Sequence, residues 1–138
     1  MGLPGAGKTT LASYLVPLLD AAWLNADKIR LNEKNWDFSE KGRETQAKKM
    51  LDLSNKFLKN KKIVVANFVC PTPNLRKIFN ADYVIWMNTI QKSKFEDTNN
   101  MFINPIKYNF KVDTFDAKYW SKKILSEIKS LQKFKNLF

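Results

Sequence analysis

The first ten residues, MGLPGAGKTT, constrain the chain more than any other stretch. Gly2, Leu3, Pro4, Gly5, Ala6, Gly7, Lys8 and Thr9 satisfy the pattern G-x-x-x-x-G-K-[ST] in full, with Thr10 extending it into a helical pattern. Glycines let the backbone wrap around phosphate oxygens and turn its N–H groups inward, while the following helix adds the positive end of its dipole. Lys8 is expected to bridge the β- and γ-phosphates of ATP, and the Thr9 hydroxyl to ligate Mg²⁺. The alternative, an accidental glycine-rich turn, does not require a helix to start at this point.

Hydrophobic patterning gives the order of elements. TTLASYLVPLL reads as a one-sided helix that Pro17 should kink or end near Leu15. AAWLNAD reads as a strand that delivers Asn25 and Asp27 at its C-terminal end. A long helix is expected over about 39–60, capped by Ser39, with Met50, Leu51, Ser54, Phe57 and Leu58 inward. KIVVANF and DYVIWMN are buried strands of the kind covered on both faces, with the short helix PTPNLRKIF between them. A polar, aperiodic stretch over 90–107 is expected to be a lid or substrate loop. NFKVD closes the sheet, and an amphipathic helix ends the chain with Tyr119, Ile124, Ile128 and Leu131 as core. Alternating strands and helices imply a parallel sheet between helix layers in one domain over 1–138, with ligands at the C-terminal strand ends.

Composition narrows the function classes. With 44% apolar and 13% aromatic residues in 138, the chain has enough material for a core. No apolar run approaches the roughly 20 residues of a membrane helix, so no membrane partner is expected. A single cysteine, Cys70, leaves no intramolecular disulfide, and a reducing cytoplasmic setting is the expectation. Cys70 reads as a small buried residue rather than a nucleophile. There is no histidine, so acid–base chemistry falls to carboxylates. The net charge of +11 has two readings: attraction to polyanions, or a lysine-rich compositional bias spread over the chain.

Three further stretches carry chemistry. In Asn25-Ala-Asp27-Lys-Ile-Arg30, a carboxylate opposite the phosphate loop can accept the proton of an attacking hydroxyl or hold a Mg²⁺-bound water, and Arg30 can clamp an anion. The bland reading is a solvated strand-to-helix turn. Phe38 to Glu44 can be a capped helix start, or a buried Phe38 that stacks on a purine beside Arg43. Phe68-Val69-Cys70-Pro71 leaves the second buried strand at the ligand end.

Together these stretches resemble the adenylylsulfate kinases, whose G-L-x-G-A/S-G-K-[ST], L-D-G-D-N-x-R, G-F-S-x-x-D-R-x-E-N and F-I-S-P-Y-R motifs appear here as GLPGAGKT, LNADKIR, DFSEKGRETQ and FVCPTP. The resemblance spans Gly2 to about Lys77. It implies a three-layer α/β/α P-loop nucleoside triphosphate hydrolase fold, ATP and Mg²⁺ as cofactors, and a small-molecule nucleotide substrate, adenosine 5′-phosphosulfate. It further implies Lys8 and Asp27 as catalytic, Thr9 and Asp27 at the metal, and Arg30, Phe38, Arg43, Phe68 and Val69 around the substrate; a homodimer is compatible with it. Asn25, Gln46, Cys70, Thr72 and Pro73 depart from the family's motifs. Its basic lid stretches have no counterpart either; QKSKFEDTNNMFINP stands there, with Lys92 or Lys94 as the cation offered to substrate.

N-A-D-K-I-R also resembles the N-x-D-x-x-R motif of phage-type polynucleotide 5′-hydroxyl kinases, which implies a nucleic-acid acceptor and suits the positive charge. A third reading is a nucleotide-binding module without turnover. Its ground is that the first, central strand of the sheet is missing: only Met1 precedes the loop. The expectation is a start codon placed too late or, failing that, a groove in the sheet behind Gly2 and low stability.

Overall fold

The computed structural model describes residues 1–138 and contains six α-helices and four strands. In chain order these are α1 (Lys8–Leu19), β1 (Ala22–Asn25), α2 (Ala26–Glu33), α3 (Glu40–Phe57), β2 (Val64–Asn67), α4 (Pro73–Phe79), β3 (Ile85–Met87), α5 (Glu96–Met101), β4 (Phe110–Val112) and α6 (Ala117–Ser130), followed by a 3₁₀ segment, Gln132–Leu137.

Short polar side chains start most of the helices. Asn25 Oδ1 accepts from the Asp27 N–H, Ser39 Oγ from Gly42, Thr72 Oγ1 from Leu75 and Asp116 Oδ1 from Tyr119. Each satisfies an N–H that has no partner inside its helix. Pro17 neither ends nor breaks α1, contrary to the expectation from sequence, and the helix runs on to Leu19. The proline lies in the last turn with Ser13 and Pro17 both exposed, so water can reach the carbonyl that loses its donor. Asp20 then turns left-handed, at φ 46°, and closes the helix.

All pairing is parallel. β1 pairs with β2 from Ala22↔Val64 to Asn25↔Asn67, and β3 pairs with β4 from Ile85↔Phe110 to Met87↔Val112. Between these two-stranded ladders stands only an isolated bridge, Gly2↔Met87. Helices α1 and α6 pack together over one side, where Leu11, Leu15, Val112, Ile124 and Ile128 form the main core. Helices α3 and α4 pack together on the other, around Leu24 and Met50 and around Ala47, Cys70 and Leu75.

The groove expected behind Gly2 is present. A cavity of about 180 Å³ separates β2 from β3, with Leu19, Val65, Tyr83, Ile85 and Ile128 among its apolar walls and Met1 in its lining. Met1 begins to bridge it: its terminal nitrogen donates to the Ile85 carbonyl at 2.8 Å, and its carbonyl accepts from Met87 N–H at 2.9 Å. Gly2 N–H then donates to the Val69 carbonyl. Burial, reinforced by the charge of Lys8, pulls the pKa of that terminal amine down to about 5.

Three readings of the sequence are corrected, the first of them by the groove. Val64, Val65 and Ala66 are only half-buried, because β2 has a strand neighbour on one edge alone. Phe57 and Leu58, expected inward, are exposed at the far end of α3; its buried face is Gly42, Arg43, Gln46, Ala47, Met50 and Ser54. Tyr119, expected in the core, is exposed and packs edge-on against Trp120, while Ile124 and Ile128 are buried as expected.

Candidate functional site

One cavity of about 760 Å³ opens at the C-terminal ends of β1 and β2, where the phosphate loop, the start of α2, the turn into α3 and the segment around α5 meet. Pro4, Gly5, Gly7, Lys8, Thr9 and Thr10 line it from the loop. Gly7 sits at φ 92°, a left-handed conformation that starts α1 without a side-chain cap and that glycine adopts at no steric cost. The other loop residues lie behind: Leu3 and Ala6 are buried, Ala6 within the main core, and Gly2 holds the bridge to Met87.

Lys8 Nζ donates to the loop's own Leu3 carbonyl at 2.8 Å. Burial lowers its pKa to about 8, and the neighbouring Asp27 carboxylate partly offsets that. A polyanion in the cavity would stabilise this desolvated ammonium. Asp27 is exposed to the cavity in the first turn of α2.

Arg30, Phe38 and Arg43 come together on the opposite wall. The Arg30 guanidinium donates to the Asp37 carbonyl at 3.0 Å and lies 4.4 Å from the centre of the Phe38 ring. Arg43 donates through Nε to the Phe38 carbonyl at 3.0 Å, with its guanidinium carbon 5.4 Å from the same ring. Both arginines are buried, which lowers their pKa values, and both line the cavity. Phe38, read from sequence as buried, is 41% exposed on that wall, with Trp36 6.4 Å away. The turn is tight: a Cβ at Gly42 would come within 2.4 Å of the Asp37 carbonyl oxygen. Asp37 braces it by accepting from both the hydroxyl and the N–H of Ser39, and those bonds hold its carboxyl below the usual range.

Phe68, Val69, Cys70 and Pro71 complete the floor after β2. Burial pushes the Cys70 thiol up to about 11, which suits a packed residue and not a nucleophile. The stretch expected to be aperiodic contains α5, and its residues Phe95, Asp97 and Thr98 line the cavity. Thr98 Oγ1 accepts from Arg43 at 2.8 Å. The end of this segment is tied down where the Ile103 N–H donates to the Pro71 carbonyl and Arg76 donates to the Ile103 carbonyl. Lys94 does not line the cavity; it is exposed, with its ammonium 5.4 Å from the Phe95 ring.

The sequence reading also missed Trp36, Asn67, Phe95, Asp97, Thr98 and Phe115, all on the cavity wall. Asn67 had a usable signal, a polar residue ending a β-branched run just as Asn25 ends β1. Phe95, Asp97 and Thr98 lie in the 90–107 stretch expected to be a substrate loop, without being singled out in it; Trp36 and Phe115 had no signal.

Thr9 and Asp27 both line the cavity and both carry oxygen atoms of the kind a divalent cation takes. No cluster of three or more carboxylate or thiolate ligands exists; a cation brought by a nucleotide would take its other ligands from phosphate and water, as Mg²⁺ usually does.

The family described as adenylylsulphate kinase matches residues 1–91. No curated protein sequence matches the chain. Among solved structures, the Mycobacterium tuberculosis APS kinase CysC in complex with AMPPNP and APS superposes with a TM-score of 0.74 at 14% identity, covering 94% of this chain and 95% of that one. A cysteine-to-alanine variant of the same enzyme gives 0.71 at 16% identity, covering 94% of each chain. Shikimate kinase from Acinetobacter baumannii in complex with shikimate gives 0.62 at 20%, covering 94% and 90%. These likenesses establish the fold as that of the P-loop kinases.

Proposed function

The chain belongs to the adenylylsulphate kinase family, and from that premise we propose that it transfers the γ-phosphate of ATP to the 3′-hydroxyl of adenosine 5′-phosphosulfate. The observation that carries the reading is that one cavity joins Lys8, Thr9 and Asp27 to the Arg30–Phe38–Arg43 wall. Its volume, about 760 Å³, falls in the range of roughly 300–1,000 Å³ usual for small-molecule sites. The relative solved with AMPPNP and APS shares this fold.

In the proposed reaction, the loop N–H groups and Lys8 bind the β- and γ-phosphates. Lys8 leaves the Leu3 carbonyl to do so. Asp27 accepts the proton of the attacking hydroxyl, an oxygen–phosphorus bond forms at the γ-phosphorus, and the bond to the β,γ-bridging oxygen breaks to release ADP. Mg²⁺, held by Thr9 and Asp27, would neutralise the charge that develops on the phosphate oxygens. Phe38 offers a face to the acceptor's purine, Phe68 and Val69 line its pocket, and Arg30 and Arg43 supply positive charge to its sulfate and phosphate. Phe95, Asp97 and Thr98 wall the acceptor side, with residues 90–107 as the closing segment.

The test is transfer of labelled γ-phosphate from Mg-ATP to adenosine 5′-phosphosulfate and, in a separate tube, to a 5′-hydroxyl oligonucleotide. Labelling of the sulfated nucleotide alone is expected. Labelling of the oligonucleotide alone would transfer the assignment to a polynucleotide acceptor, and bound ATP without transfer to either would reduce the chain to a nucleotide-binding module.

A further inference from the structure

Asn67, at the end of β2, stands between side chains from two other elements. Trp23 Nε1 on β1 donates to its Oδ1 at 2.7 Å, and its own Nδ2 donates to Thr9 Oγ1 on α1 at 3.2 Å. An indole N–H can only donate, so it selects the amide oxygen and thereby turns the amide nitrogen toward Thr9. Thr9 is thus forced to accept. A hydroxyl has two lone pairs and one proton, and Asn67 occupies one lone pair; the other, with the proton, remains for the cavity on which Thr9 is exposed.

The amide is well fixed. Asn67 is 7% exposed and is the register partner of Asn25, whose side chain starts α2, so it sits at the shared C-terminal edge of both strands. The Lys28 ammonium lies 5.2 Å from the centre of the Trp23 ring.

We propose that Asn67, oriented by Trp23, is a positioning residue that sets the rotation of the Thr9 hydroxyl so that its free lone pair meets the divalent cation carried by the nucleotide. This rests on the phosphotransfer reading of the same cavity. Asn67 touches neither nucleotide nor metal in this role; it acts through Thr9.

The experiment compares ATP binding by calorimetry in Mg²⁺ and in EDTA for the wild type, Asn67→Leu, Asn67→Asp and Trp23→Phe, with Mn²⁺ in place of Mg²⁺ for electron paramagnetic resonance. Asn67→Leu is expected to weaken the Mg²⁺-dependent part of binding about tenfold and leave binding in EDTA unchanged. Trp23→Phe should move the same quantity by a smaller factor and alter the Mn²⁺ spectrum. Asn67→Asp should restore Mg²⁺ dependence, since a carboxylate still accepts from Trp23 and can accept a hydrogen bond from the Thr9 hydroxyl, which keeps its lone pairs free for the cation. Equal losses with and without metal would mark a merely structural residue and overturn the proposal. An unchanged Mg²⁺ dependence in Asn67→Leu would overturn it too. Should that variant fail to fold, Trp23→Phe decides: wild-type metal dependence and spectrum defeat the idea. A wild type that binds no ATP even in EDTA would remove the nucleotide reading of the cavity, and this proposal with it.

Discussion

Arg43 donates to the Thr98 hydroxyl at 2.8 Å, a buried bond that joins the first turn of α3 to α5 across 55 residues of sequence. It is a direct link between the Arg30–Phe38–Arg43 wall of the cavity and the segment around α5. Thr98→Val keeps the shape and removes the acceptor, leaving a buried guanidinium N–H without a partner. A loss of about 1–3 kcal/mol in stability is expected by denaturant titration. A rise in KM for the phosphate acceptor, with KM for ATP unchanged, should accompany it, and Thr98→Ser should recover most of both. An equal rise in both KM values would mean that α5 serves the whole cavity and not the acceptor side.

The acid–base assignment is tested at Asp27. Asp27→Asn preserves size and removes the negative charge, so turnover should fall by about a hundredfold or more while ATP binding changes little. Turnover within a few-fold of wild type would take Asp27 out of the mechanism.

Lys8 gives a pH signature. Its pKa in the empty folded protein is about 8 against an ordinary 10.5, so between these values the folded chain binds fewer protons than the unfolded one. Stability contributed by this group therefore rises with pH across that window and is flat below it. A bound polyphosphate restores the charged form, so ATP binding at about pH 9 should take up a proton. Calorimetry in buffers of different ionisation enthalpy measures that uptake directly. Lys8→Met should abolish it; uptake that persists in the variant would belong to another group.

The groove between β2 and β3 predicts a stability response. Both strands present an edge without a strand neighbour there, apart from the single bridge at Met87, and unpaired buried backbone groups cost about 1–3 kcal/mol each. A β-branched extension of about five residues ahead of Met1, long enough for a strand, should raise the thermal midpoint by several degrees. It would also turn the Met1 amine, now held at about pKa 5, into an uncharged amide. Equal midpoints with and without the extension would show that the groove carries no such penalty.

Features within one turn or one motif were legible in the sequence. GLPGAGKT predicts a phosphate loop because its glycines and lysine act through local backbone geometry, and the loop stands at the start of α1 as that chemistry requires. Ser39, Asn25 and Thr72 cap helices within three residues of themselves, though only Ser39 reads as a cap from the sequence alone. The groove followed from counting strands. Pro17 misled, because its effect depends on whether water reaches the carbonyl it strands, and Phe38 misled, because burial is a property of neighbours.

By itself, the sequence determined the fold class through its alternation of strands and helices, and the glycine-loop motif, the Asp27–Arg30 cluster and the Phe38–Arg43 turn through spacings of a helix turn or two. Only the tertiary structure decided that Thr98 would meet Arg43, that Asn67 would reach Thr9 across 58 residues, and that Lys94 would face away while Phe95 and Asp97 faced in. The physical reason is that such pairings are set by how the layers dock and how the long connections close, and a hydrogen bond between distant residues leaves no periodicity in the chain that forms it.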